Sequence, residues 1–283
     1  MIEHPGRKPP FIERLLLVAA ASLAVTSFAR ISALPPPHPV FEVATVKQNK
    51  SGSSGGSSTF ENGRFIATNA LLTKLIQYQA YRITERQIVG GPKWLNTERF
   101  DIEAKTNSLV ADQLRTLSRD QRTLQTQGMF QRFLADSFKL VVHWETRDLP
   151  VYALVVAKKP PIFHEWKESD GGPGTEASTG KFSANGVTMA DLVWSLTQEL
   201  LREFGRIVVD NTGIKGRYNV TLKWTPETDS APVSIGTDGT APLPDSGASI
   251  FTALQEQLGL KLKATKGPVG VLVIDHVEMP SAN

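Results

Sequence analysis

The sequence predicts an α+β fold of two tandem β-α-β-α-β-β repeats, each a small mixed sheet backed by two helices. Three observations predict it. The apolar pattern alternates between a period of two and a helical period along the whole chain. The same series of elements can be read twice, and a Gly/Ser/Thr-rich stretch at 169–180 separates the two readings. Matched landmarks keep a nearly constant offset: 117 residues from Asn69 to Gly186, 118 from Phe100 to Tyr218 and 122 from Phe138 to Leu260.

Taken in order, the chain opens with basic residues (Arg7, Lys8, Arg14) that run into the uncharged apolar stretch Leu15–Val25. That is a secretory pattern, with Ser27 and Ala29 placed for cleavage after Ala29, so residues 1–29 are expected to be a signal peptide. The apolar run falls short of the roughly 20 residues that span a bilayer. An uncleaved N-terminal anchor is the alternative, and in either case the folded part is expected outside the cytoplasm, periplasmic or secreted. Residues 30–39 form a Pro-rich leader, and Val40–Lys47 is expected to add a strand to one of the sheets.

The first repeat is expected over 40–168 and the second over 181–281. In the first, a strand at Phe65–Thr68 leads to Asn69, read as an N-cap, and to a helix with Leu72, Leu75, Ile76 and Ala80 on one face. In the second, Phe182–Val187 leads to Thr188, which with Asp191 forms a near capping box ahead of a helix. That helix carries Met189, Leu192, Val193, Leu196, Leu200, Leu201 and Phe204 at helical spacing. Alternating strands follow at Phe100–Ala104 and Tyr218–Trp224. Each precedes a second helix: one carries Met129, Phe130, Phe133 and Leu134; the other is capped by Ser249 and carries Ile250, Phe251, Leu254 and Leu258. Two strands close each repeat, at 138–145 and 151–157, and at 260–265 and 269–277. Residues 51–59, 169–180 and a low-complexity insertion at 225–247 read as loops or linkers. The pattern leaves open whether the two repeats share one sheet.

Composition narrows the function. There is no cysteine, which excludes disulfides, thiolate metal sites and thiol nucleophiles. The formal charge is +3, and +2 without residues 1–29, with cations scattered among acids; no nucleic-acid footprint is expected. Membrane association is expected only through the signal or an uncleaved anchor.

Chemistry-bearing residues are few. His143 and Glu145 stand two apart on a strand and share a face with Lys139, an arrangement open to a metal site or an acid-base pair. Two ligands fall short of the three that a catalytic zinc needs, so the plainer expectation is a solvated strand face. Asp275 and His276 are adjacent and point to opposite faces; His276 would meet His143 only if the final strands of the two halves shared a sheet. His164, beside a linker, reads as a surface residue. Gly52, Ser54 and Gly56 match the spacing of a nucleophile elbow, but no apolar strand leads into them. Phosphate loops, dinucleotide fingerprints and EF-hand loops are missing from the sequence, and no cofactor is expected. Trp94, after Gly90-Gly91-Pro92, reads as a core anchor or an interaction hot spot. Arg217 follows the turn Asp210–Gly213 and is a candidate partner contact.

Several strings combine into a resemblance: FEVATVK at 41–47, GGPKWL at 90–95, RFDIEA at 99–104, FLADSFKLVVHWETRDLPVYALVVAK at 133–158, VVDNTGIKGRYNVTLKWTP at 208–226, SIFTALQEQLGLKL at 249–262 and VLVIDHVEMPS at 271–281. Together they resemble the "soil-associated protein" family, an uncharacterised exported domain of acidobacteria-type soil bacteria, over roughly residues 40–281. Ser137 and Trp144 stand where that family leads one to expect Arg, which argues against a basic site there. Some relatives extend membrane metallopeptidase sensors of the β-lactam-response type. The resemblance therefore implies either a free-standing form or an envelope-stress sensor domain that partners such a peptidase, since this chain has no His-Glu-x-x-His. The repeat is also distantly similar to the short N-terminal domains of secretins and TonB-dependent receptors. By that analogy the leading expectation is a non-catalytic module binding a protein, peptide or cell-wall ligand. The competing expectation is a hydrolase or metal-dependent enzyme using His143, Glu145 and His276.

Overall fold

The computed structural model describes residues 39–158, 160–226 and 248–280, all within one compact unit, His38–Asn283. The expected signal peptide, the leader as far as His38, most of the 225–247 insertion, Ser281 and the side chain of Phe204 lie outside the described residues.

The fold is α+β. The first half runs β1 (Val43–Asn49), β2 (Ser57–Glu61), β3 (Arg64–Leu71), α1 (Leu72–Lys74) with a π-helical continuation at Leu75–Ala80, β4 (Ile88–Gly90), β5 (Arg99–Lys105), α2 (Ser108–Thr116), α3 (Arg119–Phe138) and β6 (Val141–Val156). The second half runs β7 (His164–Glu165), β8 (Gly174–Ser178), β9 (Lys181–Val187), α4 (Met189–Phe204), β10 (Ile207–Asp210), β11 (Tyr218–Lys223), α5 (Ile250–Gln257) and β12 (Leu260–His276). These strands build three four-stranded sheets, in the orders β1-β5-β3-β2, β7-β11-β9-β8 and β10-β6-β12-β4. The first two are antiparallel throughout. In the third, β6 and β12 form a long antiparallel ladder, β10 lies parallel to β6, and β4 lies parallel to β12.

The order of elements departs from β-α-β-α-β-β: β4, α2, β7 and β10 are additional elements, and two other differences have a clear physical reason. First, strands occupy stretches that composition marks as loops. β2 lies partly in 51–59 and β8 lies within 169–180, each on the outside of its sheet. A strand that buries neither face has no apolar alternation to reveal it, and β8 is exposed along its length. The β2–β3 hairpin does carry a turn signal, Asn62-Gly63, both at positive φ.

Second, the expected pairs of closing strands are single strands. β6 runs through Pro150 and β12 through Pro268 without a turn. Pro150 faces Lys266 and Pro268 faces Asp148, so both prolines fall on the same parity of the ladder. An antiparallel ladder turns every second residue's N–H away from its partner. A proline there costs no ladder hydrogen bond, and it blunts the outer edge of the ribbon against a further strand. Phe138 ends α3 instead of opening a strand, and Lys139 is its left-handed cap at φ 53. Lys139 therefore does not share a strand face with His143.

Asn69 is also placed otherwise than expected. It is a buried residue of β3 at φ 55, where the β3–β5 register shifts between Ala67 and Ala70. Its N–H donates to Asp101 Oδ1 at 2.8 Å and its Nδ2 donates to the Ser53 carbonyl at 2.8 Å and to that of Gly55. The helix after it begins without a side-chain cap. By contrast Thr188 caps α4 in a capping box with Asp191, Ser118 caps α3 with Gln121, and Ser249 caps α5.

The hydrophobic cores explain why the two halves form one unit. One core gathers Phe65, Ile76, Phe100, Phe130 and Phe138 of the first half, and Leu272 and Ile274 of β12 close it. The other gathers Leu192, Leu200, Val220, Leu254 and Leu260 of the second half, and Leu154 of β6 closes it. Each half lends a strand to the other's interior, so the two halves share the central sheet.

Candidate functional site

The central ladder brings together residues that sequence spacing kept apart. His143 faces Val273 on β12. A register shift between Ile274 and His276 turns Asp275 toward it. His143 Nδ1 lies 2.9 Å from both carboxylate oxygens of Asp275, and its Nε2 lies 3.3 Å from Glu145 Oε1. Glu145 in turn accepts from Arg147 Nη2 at 2.7 Å and Nε at 3.0 Å. The result is a row, Asp275–His143–Glu145–Arg147, of alternating charge on one face of the ribbon.

Hydrogen bonds from both ring nitrogens at once require the imidazolium. The hydrogen bond to Asp275, then that to Glu145, raises the His143 pKa above its ordinary 6.5. Arg147, then His143, holds the Glu145 carboxyl below its usual value. A general base needs a free nitrogen within reach of a substrate proton. Here both are held by carboxylates, and the His143 side chain is 48 % exposed. The carboxylates lie on opposite sides of the ring, and among the described residues no group of three or more His, Cys, Asp or Glu is placed to hold a metal ion. The other candidates are placed singly. His276 bonds to Glu278 at 2.8 Å, not to His143. His164 is exposed in β7.

Trp94 packs partly buried against the first core, 6.3 Å edge-to-face from Phe100. Arg217 is drawn inward: its Nη1 donates to the Gly186 carbonyl at 2.5 Å and its Nη2 pairs with Asp120 at the start of α3. It ties the halves together instead of standing free.

A concave site lies elsewhere. Just beyond the π-helical turn, Arg82 takes a left-handed backbone conformation, φ 51, and its side chain reaches α4. Arg82 Nη2 donates to Asp191 Oδ1 at 2.8 Å, and its guanidinium lies 5.8 Å from the Trp194 ring centre. Tyr78 meets the same indole edge-to-face at 6.1 Å. Partial burial pushes the Asp191 pKa up, but the Thr188 N–H, Arg82 and the Thr188 hydroxyl outweigh it and hold the carboxyl below the usual range. Beside this cluster runs a groove of about 400 Å³ between the halves, lined among others by Arg82, Thr84, Gln87, Trp194, Asp210 and Gly270. Gln87 Nε2 donates to the Gly270 carbonyl at 2.9 Å and fixes one wall. Sequence reasoning passed over Arg82 and Trp194. The available signal was Trp194 itself, a large aromatic residue outside the apolar stripe of α4.

Among the described residues no helix is long and apolar enough to cross a membrane. A family model described as "Protein of unknown function (DUF3738)" matches residues 73–277. No curated protein and no solved structure matches the chain.

Proposed function

The chain belongs to that family of unknown function, and from this premise we propose that it is an exported, non-catalytic binding module whose ligand surface is the groove between its halves. The apolar stretch Leu15–Val25 behind Arg7, Lys8 and Arg14 is what supports export. The observation that carries the binding reading is the groove's composition. An indole, a guanidinium already paired with Asp191, and fixed polar groups at Thr84, Gln87 and Asp210 surround about 400 Å³. That volume and mixture suit a ligand held by an aromatic anchor with a few polar contacts. The occupant we favour is a segment of a protein partner. The groove walls include two runs of consecutive residues, 207–210 and 268–270, and an extended wall suits a polypeptide that makes contacts along its length.

A photo-crosslinking residue in place of Val193, in the full chain expressed in its own cell envelope, tests this. A discrete protein adduct is expected, and Trp194→Ala should lower its yield at least tenfold, as for an aromatic hot spot, with the melting temperature little changed. Unaltered capture by the Trp194→Ala protein, or sedimentation with purified cell-wall polymer in place of a protein adduct, overturns the reading.

A further inference from the structure

A second concavity, of about 550 Å³, lies in the first half between the start of β2, the end of β3 and the helical turn that follows it. It shares no lining residue with the groove. Asn69 fixes two of its walls. The Asn69 side-chain amide donates to the Ser53 and Gly55 carbonyls and so holds the loop before β2. Its backbone carbonyl accepts from Arg99 Nη1 at 2.9 Å. Gly56 packs against that same carbonyl so closely that a β-carbon would collide with the oxygen. The Arg99 guanidinium is thereby anchored beside the loop, at the part of the wall that Gly56 and Asn69 form.

The charges around this pocket do not balance. Two cations line it, Lys74 and Arg99, and among the described residues no carboxylate does. Lys74 is offset from outside by Glu85 at 3.1 Å. Arg99 is partly buried and bonds only to a neutral carbonyl, with no ion pair among the described residues. The neighbouring acids are engaged elsewhere: Asp101 with the Asn69 N–H and Asn49, and Glu98 with Gln48. A guanidinium keeps its charge at every working pH, and its planar fork of five N–H donors can grip two oxygens at once. We propose that the pocket binds an organic oxyanion, a carboxylate or a phosphate monoester, through the donors of Arg99 that the Asn69 carbonyl leaves over. The body of such a molecule has the Tyr78 ring, 47 % exposed, to lie against. The site does not rest on the partner reading of the groove, and either can fail without the other.

The test titrates the full chain at low salt with benzoate, benzamide and benzamidine, which have nearly one shape and carry negative, neutral and positive charge, and with phenyl phosphate. Ligand-observed NMR reads the affinity, and the Arg99 Nε–H resonance with the amides of 54–58 reads the place. Saturable binding of benzoate or phenyl phosphate is expected, the tighter of the two giving the class of oxyanion. Benzamide and benzamidine should bind at least about tenfold more weakly than it, the difference that a charge-assisted hydrogen bond makes. Arg99→Gln should bring that preference toward unity, and Arg64→Gln, which alters an exposed cation already paired with Glu103, should leave it unchanged. If Arg99→Gln does not fold, Ser54→Glu decides, since it adds a carboxylate to the exposed loop wall and should abolish the preference. The proposal is overturned by the absence of saturable binding, by equal binding whatever the probe's charge, by a preference that survives Arg99→Gln or Ser54→Glu, or by shifts that leave Arg99 and the 54–58 amides untouched.

Discussion

A single histidine shows how little of a site is fixed by residue type alone. His143 and Glu145 look like the beginning of a metal or acid-base site, and Asp275 completes a third group beside them. The geometry turns that set into a chain of ion pairs. The His143 pKa is raised, so its contribution to stability is fully present below about pH 6.5 and is lost as the pH rises through the higher folded value. The Glu145 pKa is lowered, so its contribution is present above about pH 4.5 and is lost as the pH falls through the folded value. An NMR titration of the His143 ring is therefore expected to give a midpoint above 6.5, and Asp275→Asn should bring it down. A midpoint that ignores the substitution would mean that the pair does not persist in solution. Asn69 presents the opposite case, a residue whose type suggested a cap and whose burial makes it a latch. Removing its amide in Asn69→Ala should cost about 1–3 kcal/mol through the two lost hydrogen bonds to Ser53 and Gly55 and the strained φ. Denaturant unfolding measures the loss, and faster amide exchange over 51–56 should accompany it.

At the level of elements, legibility followed burial. α4 was readable because it buries one stripe, Met189, Leu192, Leu196 and Leu200, and opens on a capping box. Thr188→Ala should cost about 1 kcal/mol in urea unfolding, with Thr188→Ser close to neutral. β3, β5, β9 and β11 were readable for the same reason, since each has one buried face. β2 and β8 were not, because an outer strand of mostly small polar residues satisfies its backbone from one neighbour and buries little, Phe60 being the one large apolar side chain of the two. The two prolines misled in the other direction. Proline is a sound turn signal except where the N–H it removes would have faced solvent, and the pairing that decides this involves residues over a hundred positions away. The groove was illegible for a related reason: Arg82 and Trp194 meet only because the π-helical turn and α4 belong to different halves.

For the whole molecule, the decisive feature is that the halves exchange strands. β4 has β12 as its ladder partner and β10 has β6. Cutting the chain within 169–180 should leave two fragments that do not fold alone and that regain the circular-dichroism spectrum when mixed. Leu272→Ala, although in the last strand, should destabilise the first half's core by about 2–5 kcal/mol. Differential scanning should show one transition, not two. Fragments that fold independently would contradict this account. The exchange also sets a timetable. Ladder partners such as Val141 and His276, or Val156 and Leu260, must find each other across more than a hundred intervening residues, a search whose entropy is spent before either core can consolidate. Refolding should accordingly be slow for the chain's size, and a nascent polypeptide has no stable resting place until its final strand has been synthesised.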